Sequence, residues 1–131
     1  MFFVPIFSFE KQIMIQARLI NLDNLRTISG NDPAFMTAIL NKIVQALPEG
    51  LKGIRENIAS QNWQGVASLA HKTKSTSAYT GSADLHTLLG SIEMKAKSGQ
   101  SLETIPALHT EANQLSDSIV VELKDVLLGM G

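Results

Sequence analysis

Residues 33–58 read PAFMTAILNKIVQALPEGLKGIRENI. Apolar side chains recur at Met36, Leu40, Ile43, Leu47, Leu51, Ile54 and Ile58, in steps of three or four, the repeat of an amphipathic helix. Pro48 stands in the middle of this run. A loop there would reset the phase, yet the phase carries through, so the stretch reads as one long helix kinked at Pro48. Gly50 and Gly53 oppose that reading through their low helix propensity. Asp32 before Pro33 supplies an N-cap followed by proline at the first helical position.

The same repeat governs the flanking sequence. Upstream, Leu22, Leu25 and Ile28 share one face of a short helix over residues 22–29, which Gly30 ends. Downstream, a break at residues 60–62 precedes a helix predicted over residues 63–80. Its inner face carries Val66, Leu69, Ala70, Thr73, Ser77 and Thr80, and Gly81 stops it. Ser82 caps a helix bearing Leu85, Leu88, Leu89, Ile92 and Ala96, closed by Ser98-Gly99. The last helix starts near residues 102–105, where Pro106 is tolerated in the first turn. Its stripe is Leu108, Ala112, Leu115, Ile119, Leu123 and Leu127. No alternating strand pattern occurs. Short connections favour antiparallel neighbours, so the expected fold is all-α: an antiparallel up-down four-helix bundle with an additional short N-terminal helical segment.

With 131 residues the chain fits one domain, set at residues 20–131. Residues 1–19 are an N-terminal extension opening MFFVPIFSF. That run lacks the basic region and cleavage site of a signal peptide and is too short to cross a bilayer. It is expected to pack on the bundle or on a second copy, giving weak self-association without membrane insertion. Eleven basic residues against 12 acidic ones argue against nucleic-acid binding. The absence of cysteine removes disulfides, thiolate metal sites and thiol nucleophiles and fits a cytoplasmic setting.

No phosphate-binding loop, Rossmann glycine pattern or H-E-x-x-H occurs. A carboxylate-bridged di-metal bundle would need Glu-x-x-His pairs, and neither Glu103 with His109 nor Glu56 has that spacing. Three histidines remain. His86 and His109 each follow a core leucine, about 100° off the inner face, and read as flank or surface residues. His71 points roughly 140° from the centre of its helix's core face. Around it on the wheel lie Gln64, Ala67, Ser68, Lys74, Ser75 and Ala78, mostly small where long charged side chains are the norm. Such a face admits another protein close to the helix backbone. It leaves one imidazole, a competent nucleophile, with the Lys74 ammonium one turn ahead to neutralise phosphoryl oxygens. Lys72 lies on the flank. Residues 61–98 hold Lys72, Lys74, Lys95 and Lys97 against Asp84 and Glu93, a local excess of positive charge suited to an acidic partner. Lys95 and Lys97 read as a solvated face.

The run Ala70-His71-Lys72-Thr73-Lys74-Ser75-Thr76-Ser77-Ala78-Tyr79-Thr80-Gly81 resembles the signature of histidine-containing phosphotransfer (HPt) domains, roughly A-H-x-L-K-G-S-[SA]-x-x-[apolar]-G. Residues 22–25 and 31–35 resemble the family's opening segment, and Ser91-Ile92-Glu93 its L-E on the following helix. The resemblance implies a four-helix bundle relaying a phosphoryl group from a receiver-domain phosphoaspartate, or a kinase, to another receiver aspartate. It assigns the phosphoacceptor role to His71 and charge compensation to Lys74. Partner contacts are expected at Gln64, Ala67, Ser68, Lys72, Ser75 and Ala78. The resemblance implies a partner that is the receiver domain of a response regulator, a hybrid histidine kinase, or both. The resemblance further implies no ATP site, no cofactor and no metal on this chain, the magnesium belonging to the receiver. Thr73 stands where the family usually has leucine, Thr80 where it has an apolar residue, and Ser75 where it has glycine. Those departures keep two alternatives open: an HPt-like module that binds a receiver or kinase without being phosphorylated, and the phosphoacceptor module of a chemotaxis-type kinase.

Overall fold

A computed structural model describes residues 19–130; the expectations for the apolar N-terminal run fall outside them. The described chain forms α1 (Asp23–Ser29), α2 (Pro33–Ala59), α3 (Trp63–Ser77), α4 (Ala83–Ser98) and α5 (Ile105–Met130), with 3₁₀ turns at Ala78–Thr80 and Leu102–Thr104. The architecture is an all-α helical bundle. α3 packs on α2 and α4, and α5 closes the ring against α2 and α4. α1 lies across the start of α2. No helix among the described residues is long and apolar enough to cross a membrane.

Local chemistry sets the helix limits. Asp32 accepts from Ala34 N (3.0 Å), Asn62 from Gly65 N (3.1 Å) and Ser82 from Leu85 N (3.2 Å), so side-chain oxygens satisfy amides that lack intrahelical partners. α2 runs unbroken through Pro48, because its stripe of Met36, Leu40, Ile43, Leu47, Leu51 and Ile54 is buried on both sides of the proline. Each fully buried leucine contributes about 2 kcal/mol, which outweighs one lost backbone hydrogen bond. Gly50 has a packing reason: a Cβ there would strike the Thr73 hydroxyl across the α2–α3 seam. Thr73 in place of leucine and Gly50 are thus two halves of one close helix approach.

Several sequence expectations need correction. α3 ends at Ser77 and continues as a 3₁₀ turn to Thr80. The tightening serves the buried Thr80 hydroxyl, which donates to Ser77 O (2.6 Å) and accepts from Ser82 N (3.2 Å). Gly81 follows at φ +73°, with the Asn21 carbonyl occupying the space a Cβ would need, while Asn21 N donates to Thr80 O (2.8 Å). Ile28 is exposed rather than on the inner face of α1, since that one short helix buries only its Leu25 side. On α5 the buried centre is Ile105, His109, Ala112, Ser116, Ile119, Val120 and Leu123. Leu108, Leu115 and Leu127 are half-buried flanks. Small, buried Ala112 and Ser116 belong to this face, and the bulkier leucines lie at its sides. The rotation carries His109 inward, contrary to its reading as a surface residue: it is 7% exposed, and its Nε2 lies 2.8 Å from Leu51 O on α2.

Candidate functional site

α3 buries Val66, Ala70, Thr73 and Ser77 along one face, which fixes the opposite face toward solvent. His71 stands there with its side chain 64% exposed. Its ring leans toward α4, where Nδ1 lies 2.9 Å from Glu93 Oε2. Lys74, one turn on, reaches the other oxygen, Nζ to Oε1 at 2.9 Å. Its stem crosses the α4 backbone at Gly90, where a Cβ would sit 3.7 Å from Lys74 Cδ. Lys97, one turn beyond Glu93 on α4, brings its ammonium to 3.6 Å from Oε2. One carboxylate on α4 therefore gathers an imidazole and two ammonium groups at the α3–α4 seam.

The Glu93 side chain is only 9% exposed, and an isolated carboxylate at that depth would carry a large desolvation penalty. The cations offset it. The Lys74 ammonium holds the Glu93 carboxyl below the usual carboxylate range, burial opposes this, and His71 reinforces the lowering. The Lys74 ammonium, 2.9 Å from Oε1, neutralises that oxygen of the buried carboxylate. An ionised carboxylate can only accept, which makes Nδ1 of His71 the donor. In the uncharged ring the lone pair then resides on Nε2, the nitrogen not engaged by Glu93, on a side chain that is largely exposed.

His71 and Glu93 line an open groove of about 490 Å³ with Gln64, Ala67, Ser68, Ala96 and Lys97. Gln64 and Ser68 are exposed along its α3 wall. Ala67 is 8% exposed, deeper than its position on the small outward face implied, because it forms the groove floor with Ala96 of α4. Ser75 and Ala78 continue the exposed surface toward the end of α3. The Ser75 hydroxyl donates to His71 O at 3.2 Å, so it is turned back onto the helix. Lys72 faces the other flank, lining a smaller groove with Ala46, Glu49, Gly50 and Thr76, apart from the imidazole. The seam thus brings together His71, Lys74, Gln64, Ala67 and Ser68, and separates Lys72 from them. Glu93, marked in the sequence by the family resemblance, and Lys97, read there as part of a solvated face, are given no place in the site by the sequence. The signal that could have found Glu93 was its place 100° from the Ile92 stripe, on a flank able to face α3.

No group of three or more histidine, cysteine, aspartate or glutamate residues with metal-binding geometry occurs among the described residues. The seam's chemistry is instead that of a nucleophilic imidazole beside cations that suit a phosphoryl group.

Comparison with known proteins adds to this geometry. Residues 38–125 match the family model described as Hpt domain. The fold resembles the crystal structure of histidine-containing phosphotransfer protein B (HptB) from Pseudomonas aeruginosa PAO1, with a TM-score of 0.76 at 19% identity, covering 86% of this chain and 96% of that one. It also resembles the HPT domain from the Hpt sensor hybrid histidine kinase from Shewanella, with a TM-score of 0.72 at 21% identity, covering 85% and 95%. No curated protein matches by sequence.

Proposed function

The chain belongs to the Hpt domain family, and from that premise we propose that it is a phosphorelay carrier whose phosphoacceptor is Nε2 of His71. The observation that carries this reading is the exposed imidazole, with Nδ1 held by the Glu93 carboxylate and the Lys74 ammonium beside the same carboxylate.

The transfer needs positioning and charge more than covalent machinery. A receiver-domain phosphoaspartate enters along the groove, and the small side chains of α3 let it approach. The Nε2 lone pair attacks phosphorus as the P–O bond to the partner's aspartate breaks, and the bonding electrons leave with that carboxylate. The ring retains its Nδ1 proton against Glu93 and becomes positively charged. This keeps imidazole a good leaving group when a second receiver's aspartate takes the phosphoryl group. The magnesium ion that assists at the aspartate belongs to the receiver, and the carrier itself needs neither ATP nor a cofactor. Gln64, Ala67, Ser68, Ser75 and Ala78 form the docking surface. Lys72, on the far flank, contributes to its positive field.

Incubation with a phosphorylated receiver domain should place acid-labile, base-stable label on the wild-type chain and none on His71→Ala. Label retained by His71→Ala, or wild-type chain left unlabelled by every receiver tried, overturns the assignment.

A further inference from the structure

Lys97 and Glu93 carry an inference that rests on the phosphoacceptor reading and extends it. Glu93 has its three cationic or donor partners within 3.6 Å: His71 Nδ1, Lys74 Nζ and Lys97 Nζ. Two ammonium groups face one carboxylate, so the seam holds an excess of positive charge. Lys97 sits against the same oxygen, Oε2, that receives the imidazole proton. Its side chain is 69% exposed and lines the groove into which His71 projects. A long, solvated side chain at 3.6 Å is loosely held and can change partner at small cost.

We propose that Glu93 is a placeholder for the phosphoryl group and that Lys97, with Lys74, binds that group once it is on His71. Before transfer the carboxylate occupies both ammonium groups and prevents two bare cations from repelling each other. As the Nε2–P bond forms, three phosphoryl oxygens appear beside the seam. Lys74 and Lys97 turn from Glu93 to those oxygens, while Glu93 keeps the Nδ1 proton of the now positively charged ring. The carboxylate exchanges two external cations for the one created next to it, and the seam's excess of positive charge is taken up by the phosphoryl oxygens. The structural alternative is that Lys97 merely makes an intrahelical pair with Glu93 four residues earlier.

Phosphoramidate separates these roles from docking, because it phosphorylates histidine without a partner protein. Its P–N bond breaks as the Nε2–P bond forms, and ammonia leaves. On phosphorylation of the full chain, the ¹⁵Nζ resonances of Lys74 and Lys97 should shift while that of Lys95 stays. At fixed donor concentration, Lys97→Ala should lower the yield of phosphohistidine roughly five- to tenfold, the effect of one solvated charge-assisted contact. Lys97→Arg should restore it, and Lys95→Ala should match wild type. A Lys97 resonance that does not move, with Lys97→Ala phosphorylated as well as wild type, overturns the proposal. Failure of the relay reading looks different: the lysine responses to phosphoramidate persist while no phosphorylated receiver labels His71.

Discussion

Two histidines of this bundle set a ring nitrogen against an oxygen at nearly the same distance. In the α3–α4 seam, His71 Nδ1 lies 2.9 Å from a Glu93 oxygen. In the α2–α5 seam, His109 Nε2 lies 2.8 Å from the Leu51 carbonyl. The contacts are alike, but the rings are not. His71 is exposed beside two lysines and lines an open groove, with its second nitrogen not engaged by Glu93. His109 is 7% exposed, among the buried side chains of α5. It ties one helix to the backbone of another. A hydrogen bond therefore does not tell the proposed phosphoacceptor from a structural histidine. What tells them apart is the access of the remaining nitrogen and the charge waiting there.

Paired substitutions test this contrast. The largest effect is expected for His71→Ala: complete loss of phosphoryl acceptance in a receiver assay, with a melting temperature close to wild type, because an exposed ring leaves no cavity. His109→Ala should do the reverse. It should still accept the phosphoryl group but lose about 2–4 kcal/mol in urea denaturation, since it removes a buried ring and its hydrogen bond. If His109→Ala abolished transfer without loss of stability, the division of labour would be wrong.

The glycines of the two helices beside α3 extend the comparison. Gly50→Ala should destabilise by about 1–3 kcal/mol by forcing α2 away from the Thr73 hydroxyl. Thr73→Ala in the same chain should recover part of that loss, as a double-mutant cycle would show.

Glu93 gives the pH dependence. Its folded carboxyl titrates below the ordinary value of 4.5. It therefore stabilises the fold above the unfolded value and loses that contribution as pH falls from about 4.5 through the folded value. Glu93→Gln should cost about 1–2 kcal/mol at pH 7. The gap to wild type should shrink below pH 4.5 in denaturation series. A gap constant to pH 3 would mean that the Lys74 and His71 contacts contribute nothing. The smallest effect is Gly90→Ala, which meets only the Lys74 stem at ordinary contact distance and should stabilise α4 by about 0.5–1 kcal/mol in thermal melts.

The sequence made the two faces of α3 legible for a plain reason. Val66, Ala70, Thr73 and Ser77 form an unbroken stripe, and everything opposite must meet solvent or a partner. The helix α2 was legible through Pro48 because seven apolar positions keep phase across it, four before and three after. Glu93 was less visible, since a wheel assigns angles within one helix and does not say which flank the next helix covers. The error at His109 arose from weighting large apolar side chains. The buried face of α5 includes Ala112 and Ser116, small residues with little weight as hydrophobic markers. Ala67 was displaced for the same reason: a small residue can be a floor as easily as a surface.

On the proposed phosphoacceptor role of His71, the trio around Glu93 makes the seam symmetric in time. The ions present before a phosphoryl group arrives are the ions present after it leaves, and the ring donates the same proton to the same carboxylate throughout. With such a seam the forward and reverse passages traverse the same states. With His71 as the proposed phosphoacceptor, traffic would run down whatever gradient of phosphorylated and unphosphorylated partners is maintained, as at a junction whose rails are laid equally well in both directions.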